Sequence, residues 1–304
     1  AEDEDGGAPS TVADSRAAAP ARTADAPAFQ DIPGFDSMLD CIVRMYVSEP
    51  VSEGFLGELL GRLSVLGRPV RALGYDEGTG HWEPLDGAEP GRYQMLAFAM
   101  QTVSRSGMAK PAQLCAFCDL LRDRASRVSA AIDLPDMEST LENARRLDDF
   151  CAEVDVAIGV NVVANRGESF AGTKIRGLAE AAGFKLEPEG VFHYRNEQRQ
   201  TLFTLDNHEP APFIPEQIKS LSTTGVTLLL DVPRVAGGLQ ALDLMLEVGK
   251  SLEQGLGGRL VDDNRVALNP PGISKSRQQL GALHAKMDAA GISAGSERAL
   301  RLFS

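Results

Sequence analysis

Basic residues are in short supply: the 304-residue chain carries 30 Lys and Arg against 43 Asp and Glu, a formal net charge of −13. Phosphate backbones are bound by clustered Lys and Arg, so nucleic acid is a poor partner for this chain. Cysteine is scarce as well. Cys41, Cys115, Cys118 and Cys151 are too few for a disulfide scaffold in a chain of this length, and reduced thiols are the expectation. No window approaches ~18 consecutive apolar residues, so no stretch reads as a transmembrane helix. No Walker loop and no G-x-G-x-x-G opens a helix after a strand, and G-x-S-x-G is missing, which removes the usual signatures of phosphate cradles and of the hydrolase nucleophile elbow.

What is present is ordinary globular material, 43% hydrophobic and 24% charged. The length corresponds to about two domains. Residues 1–34 are Ala, Pro, Asp, Glu and Gly, with only Val12 and Phe29 as larger apolar side chains before Ile32. Such a segment cannot bury enough surface to offset its ordering entropy and reads as a disordered acidic linker. The chain begins with Ala, and the expectation is that an upstream segment precedes the linker.

The clearest single element is Thr223 to Pro233, a polar turn with Gly225, a near-continuous apolar run, and a proline that ends pairing. A helix follows it, with Leu239, Leu242, Met245, Leu246, Leu252 and Leu256 at helical spacing. Strand followed by helix recurs along the chain. Cys41 to Val47 reads as a strand, then Phe55, Leu59, Leu63 and Leu66 fall on one helical face, with Ser52 as N-cap and Gly67 at the stop. Val70–Tyr75 and His81–Leu85 read as strands around a turn, and Met95–Met100 is another apolar run. Leu114, Phe117, Leu121 and Val128 mark the next helix. Ala131–Leu134 reads as a short strand, and Ser139 with Glu142 as a capping box for the helix after it. The second half repeats the pattern: strand Val156–Val162, helix through Phe170, Ile175, Leu178 and Ala182, and a hairpin of Val191–Tyr194 with Thr201–Leu205. The closing strand is Leu260–Asp263, and a last short helix carries Leu280, Leu283 and Met287. Ser52–Gly57 aligns with Gly167–Gly172, about 115 residues on, a period that means tandem domains rather than a solenoid.

The second half closely resembles the C-terminal domain family of ZipA, the bacterial division protein that binds FtsZ. The resemblance runs over roughly residues 153–290. It is carried by Asn161-Val162, Gly167, Ala182-Gly183-Phe184, Phe192-His193 and Phe203-Thr204-Leu205 with Asn207. Thr223-Thr224-Gly225-Val226-Thr227 with Val232-Pro233, Gly257-Gly258, Leu260 to Asp263 and Asn269-Pro270 complete it. The resemblance implies an α/β (α+β) architecture of two related split β-α-β domains, each an antiparallel sheet with helices on one face. Their expected bounds are 35–152 for a divergent first domain and 153–292 for the second, with a tail over 293–304. It also implies a non-enzymatic adaptor without cofactor or metal. Such an adaptor binds the C-terminal tail of FtsZ in an apolar groove on the helix-free sheet face and sits on the cytoplasmic side of the inner membrane at the division site. Its only hold on the membrane is an upstream anchor.

Carried over strand by strand, the groove positions in the second domain are Ala157, Gly159, Glu189, Asp206, His208, Thr227 and Leu229. Only Leu229 among them is a large hydrophobe, and covering Glu189 or Asp206 with an apolar peptide would cost roughly several kcal/mol unless each found a partner. The equivalent positions in the first domain are Ile42, Arg44, Leu73, Ala97 and Ala99, with Tyr46 nearby. Two other readings stand beside this one. One is a diverged adaptor for another division partner, and the other a small-molecule or catalytic domain using the His193 and His208 region. Cys115-x-x-Cys118 is the only metal-like spacing and has no second pair, so it reads as structural thiols. Asp262-Asp263 reads as a capping or solvated pair.

Overall fold

A computed structural model describes residues 32–85 and 93–304. The predicted linker lies outside them up to residue 31. The chain opens with β1 (Asp40–Tyr46), α1 (Glu53–Ser64), β2 (Val70–Asp76), β3 (His81–Pro84), β4 (Tyr93–Gln101), α2 (Pro111–Arg127), β5 (Ala131–Asp133) and α3 (Met137–Val154). The second half runs β6 (Ala157–Val163), α4 (Gly172–Ala181), β7 (Lys185–Leu186), β8 (Phe192–Arg195), β9 (Thr201–Asn207), β10 (Gly225–Asp231), α5 (Gly238–Leu256), β11 (Arg259–Val261), α6 (Pro270–Ala289) and α7 (Glu297–Leu302).

Local chemistry explains where most helices start and stop. The Ser52 hydroxyl accepts the Phe55 N–H at 3.3 Å, and Gly67 takes a left-handed φ of 75° past the end of α1. For α3 the cap is Asp136, whose carboxylate accepts the Ser139 N–H, in place of the capping box expected from Ser139 and Glu142. Asp136 begins the helix three residues earlier than a Ser139 cap would, because its side chain takes the orphan Ser139 donor. Asn269 caps α6 in the same way, which lengthens the predicted short helix to 20 residues. Pro233 ends β10 as expected, and Val232–Arg234 form one 3-10 turn.

The strands build two antiparallel sheets of order β3-β2-β4-β1-β5 and β7-β8-β9-β10-β6-β11. In the first, β1 and β2 flank β4, while β4 and β5 flank β1. The strand–helix–strand passages through α1 and α2 therefore each skip over one strand. In the second, β6 and β9 flank β10, and β10 and β11 flank β6. The three central strands correspond, but the extra hairpin strand follows its partner in the first sheet (β3 after β2) and precedes it in the second (β8 before β9). Each sheet buries one face beneath its helices. Val43, Met45, Phe98 and Met100 meet Leu59, Leu63, Phe117 and Leu121 in the first core. Val160, Val162, Leu228 and Leu230 meet Ile175, Leu242, Met245 and Leu252 in the second. Each such Leu or Phe contributes about 1.5–3 kcal/mol of burial.

A third core joins the halves. Leu39, Val103, Leu147 and Val154 pack with Met287, Ile292, Leu302 and Phe303. The 293–304 stretch expected to be a tail thus supplies α7 and three fully buried side chains, Ala299, Leu302 and Phe303. Among the described residues no helix is long and apolar enough to cross a membrane.

Candidate functional site

Alternation along a strand decides which residues reach the helix-free face, and pairing register decides which of them are neighbours. In the second sheet Gly159 pairs with Leu229, Ala157 with Asp231, and Thr227 with both Asn161 and Asp206. His193 on β8 pairs with Thr204 on the same face. His208 follows β9, with its Nδ1 3.3 Å from the Thr227 hydroxyl, and Glu189 lies 3.0 Å from His193 Nε2. The seven positions predicted for this domain therefore share one surface.

That surface is polar and internally bonded. The Thr227 hydroxyl donates to Asn161 Oδ1 at 2.6 Å, and Asn161 Nδ2 donates to Asp263 at 3.0 Å. Asn161 is only 4% exposed, so both contacts satisfy a buried amide. Asp263 occupies the space a side chain at Gly159 would need, because a Cβ there would lie 2.7 Å from its Oδ1. The Thr204 hydroxyl donates to Asp206 at 3.1 Å, while burial pushes the Asp206 carboxyl above the usual carboxylate range. Leu229, 37% exposed, is the large apolar group on this face. Asn161 and Asp263 also belong to this surface, and strand-by-strand reasoning did not place them there. They are 102 positions apart, and no local signal joins them. Asp262, by contrast, caps its own turn, accepting from the Asn264 and Val266 N–H groups.

The first sheet presents a different open face. Ile42 pairs with Ala99 and Arg44 with Ala97, Tyr46 with Met95, and Leu73 with Ala97 from the other side. All six positions predicted for this domain share this face. The register adds Arg71, Tyr75, Met95 and Trp82, which the sequence reading did not include. Tyr75 and Trp82 meet edge to face at 5.5 Å, and Tyr46 is 39% exposed. Arg44 stands 3.6 Å from Asp133, and its Nε and the Trp82 indole N–H are buried without a hydrogen-bond partner among the described residues. An unmet buried donor costs about 1–3 kcal/mol, so both invite an acceptor.

The other candidate chemistry disperses. Cys115 is exposed and Cys118 buried against Cys41, whose thiol is pushed up by the hydrogen bond to Cys118 and by burial. His193 also faces the Thr201 hydroxyl at 3.1 Å. Among the described residues no group of three or more His, Cys, Asp or Glu is placed to hold a metal ion.

Residues 156–279 match the family described as ZipA, C-terminal FtsZ-binding domain. Among curated relatives, the cell division protein ZipA of Marinobacter nauticus is 34% identical over 126 residues, 40% of this chain and 37% of that protein. ZipA of Ectopseudomonas mendocina is 27% identical over 143 residues, covering 46% of this chain and 52% of the relative. For ZipA of Haemophilus ducreyi the figures are 26% over 156 residues, 50% and 46%. The chain thus spans between about a third and a half of the length of these relatives.

Proposed function

We propose that this chain, whose residues 156–279 form a ZipA C-terminal-type domain, is a non-enzymatic division adaptor that binds the C-terminal tail of FtsZ. An anchor upstream of the acidic linker would tether it to the cytoplasmic face of the inner membrane at the division site. Residues 35–152 and 153–292 act as two related domains in this reading. The observation that carries it is the matched region itself, folded as an antiparallel sheet with helices on one side and the other side open. An open sheet face is where an extended tail can lie, and exposed apolar surface marks such sites. The tail contacts Leu229, with Ala157, Gly159 and Thr227 beneath it and Glu189, Asp206 and His208 at its flank. Ile42, Arg44, Tyr46 and Leu73, over the buried Ala97 and Ala99, form the second available groove. A short peptide that orders on binding retains about −7 to −8 kcal/mol, which is micromolar affinity.

The test is titration of the chain with a fluorescent peptide of the FtsZ C-terminal tail, alongside Leu229→Glu and Arg44→Glu. Micromolar binding that is weakened at least about tenfold by one substitution is expected, and the sensitive variant names the working face. No binding at millimolar protein sinks the tether.

A further inference from the structure

The open face of the first sheet is already partly occupied, and its occupant is the protein's own chain. Ile32, Pro33, Gly34 and Phe35 form a tight turn closed by the Phe35 N–H on the Ile32 carbonyl at 3.0 Å. Pro33 at the second position and Gly34 with φ 73° at the third are the residues a type II turn requires. The turn lies over the Arg71 end of the face. Arg71 donates to the Gly34 carbonyl, and its guanidinium stacks 5.5 Å from the centre of the Phe35 ring. Ile32 is 5% exposed, although neither it nor Phe35 belongs to any of the three cores. Asp36 follows, its carboxylate held by Arg298, which with the Met38 N–H keeps it below the usual carboxylate range despite burial. Between this segment and the sheet runs a cleft of about 460 Å³ whose walls include Ile32, Phe35, Ile42, Arg44 and Arg298. Beyond the cleft the face continues uncovered by this segment, past Arg44 to Tyr46, Tyr75 and Trp82; the Arg44 Nε and the Trp82 indole N–H, both buried along it, have no hydrogen-bond partner among the described residues.

We infer that the open face of the first sheet is a peptide-docking surface, and that Ile32–Asp36 is a built-in occupant that competes for it. The partner is an extended acidic peptide with the pattern apolar–Pro–x–aromatic–acid. The strap displays this chemistry: two apolar side chains set by a proline turn, then a carboxylate for a guanidinium. The Arg44 guanidinium, 3.6 Å from Asp133 and with its buried Nε unbonded among the described residues, supplies the attraction for a carboxylate or carbonyl of a peptide longer than the strap. Apart from Leu229 the face of the second sheet is largely polar and internally bonded, and among the described residues it holds no buried donor without a partner. This inference rests on the reading of this face as the second groove and adds the segment that competes for it; it does not depend on which protein supplies the peptide.

The probe is a fluorescein-labelled peptide of residues 30–40 of this chain. It is titrated into the full chain, into Ile32→Ser/Phe35→Ser, which loosens the strap, and into that double variant carrying Leu73→Glu as well. The double variant should bind at least tenfold tighter than the parent, and the charge at position 73 should abolish the gain. A double variant that is folded by circular dichroism and binds no tighter overturns the inference. A second arm leaves the chain unmutated. Millimolar unlabelled peptide should accelerate amide exchange at Phe35 in the parent, and unchanged exchange overturns the inference as well. The FtsZ tail peptide, run in parallel, separates the two proposals. Binding of the chain's own peptide without binding of the FtsZ tail sinks the division reading and leaves this one standing, and the converse does the reverse.

Discussion

Asp206 shows how one residue changes the character of a surface. Its position on the open face follows from strand alternation, and the cost of its charge follows from burial. Because its pKa is higher in the folded chain than in the unfolded one, the folded state binds the proton more tightly. That contribution favours folding below the unfolded pKa and is lost as pH rises through the folded one. Asp206→Asn keeps an acceptor for Thr204 and removes the charge. The variant should therefore melt higher than the parent at pH 7, with the gap closing as pH falls below roughly 4. Melting temperatures measured from pH 3 to 7 check this, and a gap independent of pH would show that ionisation is not its cause. Asn161 and Asp263 could not be found in the same way. Burial of Asn161 is legible from its place in an apolar strand, but its partner arrives from a loop a hundred residues away.

At the level of elements, the sequence was most informative where a residue type has one local use. Gly257 takes φ 78° as the left-handed cap of α5, with no atom near a built Cβ. Gly258 has no side chain because a Cβ there would come within 2.7 Å of the Val163 carbonyl. The glycines read as a C-cap and turn are thus one conformational and one steric requirement. Gly257→Ala should cost about 1 kcal/mol, and Gly257→Asn less, since Asn tolerates that region. Urea denaturation measures both. The strands of the two hairpins were equally legible, since each has alternating apolar residues around a polar turn. The start of α3 was not, because Asp136 and Ser139 are both good caps and only backbone geometry decides between them.

For the whole molecule, α7 is the element that joins the halves. Phe303 is fully buried, its carbonyl accepts from Arg234 at 2.9 Å, and Arg105 stacks on its ring. Arg105 also binds Asp155 and Asp231 at 2.6 and 2.9 Å, tying the turn after β4 to the second sheet. Asp40 on β1 accepts from Arg71 and from Arg301 of α7. Phe303→Ala should remove about 3 kcal/mol or more. Trp82 is the single tryptophan and reports on the first half, whereas far-ultraviolet circular dichroism reports on both. The two probes should give coincident urea transitions in the parent and separated ones in the variant. Separation in both would show that the third core does not couple the halves.

The sequence by itself determined the element types and the α/β class, because alternation, capping and turn chemistry act within a few positions; the residues proposed to line the open faces came from the family resemblance. It also carried the ordered set of motifs shared with the ZipA C-terminal domain over the second half. Only tertiary structure decided how the hairpins insert, in opposite order in the two sheets, and that a terminal stretch of six helical residues closes a third core. It alone decided that Asn161 meets Asp263 and that Ile32–Asp36 lies on the first sheet. Each of these is a contact between segments far apart in the chain, where burial and charge pairing choose among partners that local pattern leaves equal.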